Sequence, residues 1–125
     1  MDQEALEDLF RPFGAVDIKR MFGGLGIFAD GMMFALVAHG EVYMKSEPDT
    51  EALFETAGSE PFVYSREGRP PVKMGYYKLP GDAYEDADEL LRWANLSFAS
   101  ARTAAAAKKK KSARPLSKKR QAGNA

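Results

Sequence analysis

Leu6, Leu9, Phe10 and Phe13 recur at helical spacing near the start of the chain, with acidic residues on the intervening positions. The pattern predicts a short amphipathic helix over residues 3–13, with Asp2 as its N-cap and Pro12-Phe13-Gly14 as its stop. From Ile18 the period shortens to two. Strands are predicted at 17–22, 25–29, 32–38 and 41–45, and Asp30-Gly31 between the second and third is the preferred pair for a two-residue type I′ turn. His39-Gly40 plays the same part before the fourth strand.

The period then lengthens again. Ser46 to Thr50 is a turn cluster with N-cap candidates, and a second helix is predicted over 50–57, with Gly58 as the residue that ends it. Strands follow at 61–65 and 72–79, separated by a loop at 66–71, and Gly75 inside the last strand suggests a bulge. Pro80-Gly81-Asp82 breaks that strand. Asp86 with Glu89 three residues on resembles a capping box, and Leu90, Leu91, Trp93, Ala94 and Phe98 mark a third helix through about Arg102. The sum is α-β-β-β-β-α-β-β-α. Adjacent strands make hairpins and do not alternate with helices, so the class is α+β, an antiparallel sheet of five to six strands with helices packed on it.

Composition sharpens this picture at three points. The chain has 125 residues, 45% of them hydrophobic, with eight Phe and five Tyr, enough for a single buried core. It contains no cysteine, so disulfides, thiolate nucleophiles and cysteine-held metals are excluded. The acidic start lacks the basic, then apolar, profile of a signal peptide, and no run approaches the roughly 18 apolar residues of a membrane helix, so a cytoplasmic protein with no membrane partner is expected.

The net charge of zero hides a division. All 18 acidic residues fall within 1–103, a segment of net charge −8, whereas 104–125 carries +8 and no acid. Two regions are therefore expected, a globular domain at 1–103 and a basic tail at 104–125 that is irregular in isolation from about residue 108, where like charges crowd and Pro115 and Gly123 interrupt. Lys108, Lys109, Lys110, Lys111, Arg114, Lys118, Lys119 and Arg120 place eight cations in thirteen residues. Such a tail suits nonspecific, salt-dependent binding of DNA or RNA, with a solubilising role, or folding back on the acidic domain, as the alternatives.

Candidate chemistry in the globule is sparse. In KRMFGGLGIF, residues 19–28, the spacing of Gly23, Gly24 and Gly26 does not fit a dinucleotide fingerprint or a phosphate loop, and a strand follows them where those motifs need a helix. A tight turn or bulge is the favoured reading. A small-ligand or minor enzymatic cleft near Gly23, Gly24 and Tyr76 is the alternative. His39 is the only histidine and sits in a turn, so neither a zinc site nor a Ser-His-Asp set can be assembled around it. Glu85, Asp86, Asp88 and Glu89 crowd a helix start, where capping explains them better than a metal. No catalytic residue, metal or cofactor is expected. Phe22, Phe28, Phe34, Tyr43, Phe62, Tyr64, Tyr76 and Tyr77 are read as core more than as stacking platforms, although Tyr76 and Tyr77 must point to opposite faces and one of them is expected at the surface.

The run KRMFGGLGIFADGMMFALV, followed by EVYMK, AGSEPFVY, VKMGYYKLP and ELLRWANLSFASAR, resembles the TfoX (Sxy) N-terminal domain family over roughly residues 3–102. Its marker is R-x-F-G-G-x-G-[IL]-[FY] leading to DG-x-x-F-A-L, here Arg20 to Leu36. The resemblance implies an α+β domain without catalytic activity, drawn from regulators of natural competence that act in transcription beside a cyclic-AMP receptor protein. It marks Arg20, Phe22, Gly23, Gly24, Gly26 and Tyr76 as a possible contact surface. Those regulators carry a second, helical domain, and here a lysine-rich tail takes that place. A stand-alone domain with its own partner, a transcription factor or another protein, is expected, as monomer or homodimer.

Overall fold

The computed structural model describes residues 1–21, 23–65 and 67–123, with backbone alone over 109–123. The observed order is α1 (Gln3–Phe10), β1 (Asp17–Met21), β2 (Gly24–Ala29), β3 (Met32–Ala38), β4 (Glu41–Lys45), α2 (Pro48–Thr56), β5 (Pro61–Tyr64), β6 (Val72–Lys78) and α3 (Ala87–Gly123). All six strands join one antiparallel sheet in the order β1-β2-β3-β4-β6-β5, the expected class and element order. The first four strands form a meander because each is joined to the next by a tight turn. Asp30 and Gly31 have φ of +51° and +76°, and His39 and Gly40 have +54° and +75°, the left-handed pairs that type I′ turns require.

Local chemistry sets most boundaries. The Asp2 carboxylate accepts the Ala5 N–H at 2.9 Å and starts α1. The second helix begins two residues earlier than its apolar spacing indicates. Pro48 occupies its first turn, and the Thr50 hydroxyl accepts the Glu47 N–H at 3.0 Å, so the N-cap, Glu47, falls within the 46–50 cluster read as carrying N-cap candidates. A 3₁₀ turn at Gly81–Tyr84, not legible from the sequence, lets the Tyr84 hydroxyl accept the Val42 N–H at 3.0 Å. Asp86 then caps α3, accepting the N–H groups of Asp88 and Glu89 at 2.9 and 3.2 Å.

The core lies on one face of the sheet. Phe10, Phe13, Phe34 and Phe98 cluster, mostly edge to face, where α1 and α3 cross β3, and Phe54 of α2 sits between Trp93 (4.6 Å between centroids) and Tyr77 (5.4 Å). A bulge opposite Ile27 and Phe28 turns both Phe34 and Ala35 inward, so two consecutive residues of β3 enter the core.

The last helix departs from the sequence reading. Its packed part ends at Ala101, the last buried residue, and residues 102–108 are exposed. The backbone is helical to Gly123. Alanine and lysine have high intrinsic helix propensity, and an established helix adds residues without a new nucleation cost. Among the described residues no helix is long and apolar enough to cross a membrane.

Candidate functional site

The three glycines of the marker motif are glycines for three different reasons. Gly23 closes the β1–β2 turn with φ of +82° and open space around the position of a side chain, so only its backbone angle demands glycine. Gly24 lies in β2 beside β3, and a Cβ there would approach the Val37 carbonyl oxygen closer than the 3.0 Å that real Cβ atoms respect. Gly26 pairs with Leu36 at the sheet centre, and a Cβ there would meet Met21 Sδ at 2.5 Å, Met33 Sδ at 2.9 Å and Phe28 Cε1 at 2.9 Å. The motif is an instrument for bringing β1, β2 and β3 close together. Phe22 lies outside the described residues.

Because successive turns of a meander alternate between the two ends of the sheet, the Gly23 turn and the His39-Gly40 turn lie together at one end. A cleft of about 450 Å³ opens there, bordered by Met1, Arg20, Gly23, Gly24, His39 and Gly40. A second, of about 280 Å³, continues past Met21, Met33 and Leu36 to Phe62. Arg20 and His39, which both border the first cleft, are exposed. The sequence reading treated His39 as a turn residue, which it is. That it borders the same cleft as Arg20 was not visible, since the pairing of β2 with β3 places both turns at one end of the sheet.

Tyr76 does not belong to this site. It pairs with Lys45 on β6, at the far end of the sheet and two strands beyond β3. The expectation that Tyr76 or Tyr77 would be at the surface is also corrected, for both are buried. The Lys45 ammonium covers the Tyr76 ring at 5.1 Å on one face, while Tyr77 enters the core on the other. Burial pushes the Tyr76 hydroxyl above its usual range. Burial does the same to Tyr77, whose hydroxyl donates to Glu55 Oε2 at 2.7 Å, which raises it further.

The carboxylates at the start of α3 resolve as a cap on Asp86, with Glu89 3.5 Å from Arg92. Of the tail cations, Lys108 is exposed. Lys109, Lys110, Lys111, Arg114, Lys118, Lys119 and Arg120 fall on the helical backbone of α3, and their side chains lie outside the described residues.

Comparison with known proteins matches residues 8–101 to the model of the TfoX N-terminal domain. Over 62 residues the chain is 32% identical to the DNA transformation protein TfoX1 of Aliivibrio fischeri (strain ATCC 700601 / ES114), a stretch that is 50% of this chain and 30% of that protein.

Proposed function

We infer the function from one premise: this chain belongs to the TfoX N-terminal domain family. From it we propose a non-enzymatic regulatory or adaptor domain of the competence-regulator type. It acts in transcription regulation in the cytoplasm, and its lysine-rich tail adds nonspecific affinity for nucleic acid. The observation that carries the tail's part is the departure of α3 from the globule. Residues 102–108 of the helix are exposed, and the eight cations lie in the sequence from Lys108 onward, beyond a domain of net charge −8. Phosphate contact in that position does not bring the acidic surface against the nucleic acid, and long-range repulsion is screened beyond about 8–10 Å at ordinary salt.

The test is fluorescence anisotropy with a short DNA duplex, for the native chain and for a variant with all eight tail cations replaced by Gln. Gln keeps helix propensity and removes charge. If all eight meet phosphates, log K falls against log salt with a slope near −7, and the variant loses nearly all of that slope. Equal binding by both chains, or binding by neither, refutes the tail's role.

A second reading is favoured by one observation, the cleft of about 450 Å³ at the Gly23–Gly24 turn. Its size falls within the range of small-ligand pockets, and Arg20 with His39 would orient an anionic group. Inorganic phosphate at millimolar concentration would then raise the unfolding temperature of the native chain and not that of Arg20→Ala. Identical shifts in both remove this reading.

A further inference from the structure

The two clefts at the end of the sheet differ from the rest of the domain in charge. Residues 1–103 carry net charge −8, yet among the described residues no carboxylate borders either cleft. Arg20 and His39 border the first, and neither has a carboxylate within 4.0 Å among the described residues. The turn adds backbone donors. The N–H groups of the two central residues of a type I′ turn stand outside the ladder, so those of His39 and Gly40 are unclaimed among the described residues. Gly23 and Gly40, with φ of +82° and +75°, also leave open the space that a side chain would fill.

The second cleft is apolar. Met21, Met33, Leu36, Ala38 and Phe62 line it, and His39 brings the one polar side chain among its described residues. It lies on the sheet face opposite the helices, where Met33, Leu36 and Phe62 are half-buried. Alternation along β1 sends Arg20 to one face and Met21 to the other, while Met21, Gly24 and His39 border both clefts. The two meet around the end of the sheet, a cationic mouth that leads into an apolar trough.

Resting on the reading that this cleft holds an anion, we propose that its ligand is a fatty acid. The carboxylate sits at Arg20 and the His39-Gly40 turn, and the acyl chain lies along Met33, Leu36 and Phe62. Arg20 carries the one permanent charge among the described lining residues, and its forked guanidinium matches a single carboxylate. A nucleotide or sugar phosphate would bring hydroxyls and ring nitrogens into a trough that offers them only His39, and unpaired polar groups oppose binding. An alkyl chain needs no such partners, and methionine side chains adapt to its shape.

Isothermal titration calorimetry of the full chain with butyrate, hexanoate, octanoate, octanol and inorganic phosphate tests the assignment. Affinity should rise about fourfold for each methylene added between butyrate and octanoate, the gain expected from burying one CH₂. Octanol, which has the chain without the charge, should bind about tenfold more weakly than octanoate. Arg20→Gln should weaken octanoate by a similar factor of about ten. Met33→Gln keeps the length of the side chain and should weaken octanoate roughly fivefold while leaving the response to phosphate unchanged. The circular dichroism spectrum and urea midpoint of each variant confirm its fold. If phosphate binds and octanoate is held no tighter than butyrate, the anion reading stands and the fatty-acid assignment falls. If neither phosphate nor octanoate binds, both fall. Octanol bound as tightly as octanoate, or octanoate bound equally by the native chain and both variants, also overturns the assignment.

Discussion

Gly24→Ala should be far more damaging than Gly23→Ala, although the two glycines are adjacent and the turn belongs to both. The new methyl of Gly24→Ala meets the backbone carbonyl of Val37, which cannot rotate away. Relief requires β2 and β3 to part by roughly 1 Å, and a gap of that size forfeits a quarter to a half of the dispersion energy along the contact. Overpacking of this kind costs about 1–3 kcal/mol, and weakening the ladder beside Leu25 and Val37 adds about 1 kcal/mol. Alanine also restricts the unfolded chain, which returns about 0.4–1 kcal/mol. The net loss is about 2 kcal/mol. At Gly23 nothing lies within 4 Å, so the cost is that of holding alanine at φ of +82°, about 1 kcal/mol after the same correction. Urea denaturation followed by far-UV circular dichroism measures both, and with an m-value of about 1.5 kcal/mol/M the Gly24 variant shifts its midpoint by about 1.3 M. A Gly24→Ala protein as stable as Gly23→Ala would mean that β2 yields freely there. The close-approach account of the motif would then be wrong.

Gly26→Ala should cost under about 1 kcal/mol in the same assay, since the atoms its methyl meets are the flexible ends of Met21 and Met33 and one edge of Phe28. Asp86→Ala should lower stability by about 1 kcal/mol through loss of the α3 cap, with Asp86→Asn close to native. Trp93→Phe should be much milder than Trp93→Ala, at about 3–5 kcal/mol for the latter, because Phe keeps most of the ring packing and, like Ala, removes an indole N–H that is buried with no acceptor among the described residues. Tyr76, Tyr77 and Tyr84 are all raised above the ordinary tyrosine value of 10.0, first by burial, so the folded state holds their protons more tightly than the unfolded state does. Their contribution is complete below pH 10.0 and lost as pH rises through the folded values. Stability followed by Trp93 fluorescence should therefore decline above about pH 10, less steeply in Tyr77→Phe; an unchanged alkaline limb in that variant would refute the assignment.

Lysine repulsion and Pro115 do oppose regular structure, but α3 is already nucleated by Asp86 and anchored by Leu90, Trp93 and Ala94 when the chain reaches Ala104. Extension from a fixed helix is a different problem from helix formation in an isolated peptide.

What the sequence determined alone was whatever residues decide among their immediate neighbours. Asp2 and Asp86 start helices by capping amides two or three residues on, Asp30-Gly31 and His39-Gly40 take left-handed angles, and period two over β1–β4 sets the alternation of faces. These effects act within a few residues, so spacing reveals them, and the marker motif identified the family for the same reason. Which face the helices would cover was decided only in three dimensions. So was the burial of both Tyr76 and Tyr77, and so was the placing of Arg20 and His39 on one cleft at the end of the sheet. The reason Gly24 must be glycine lies thirteen residues away, in a carbonyl that reaches it only when β2 pairs with β3. Periodicity marks that two faces exist, and packing between distant segments chooses what each of them meets.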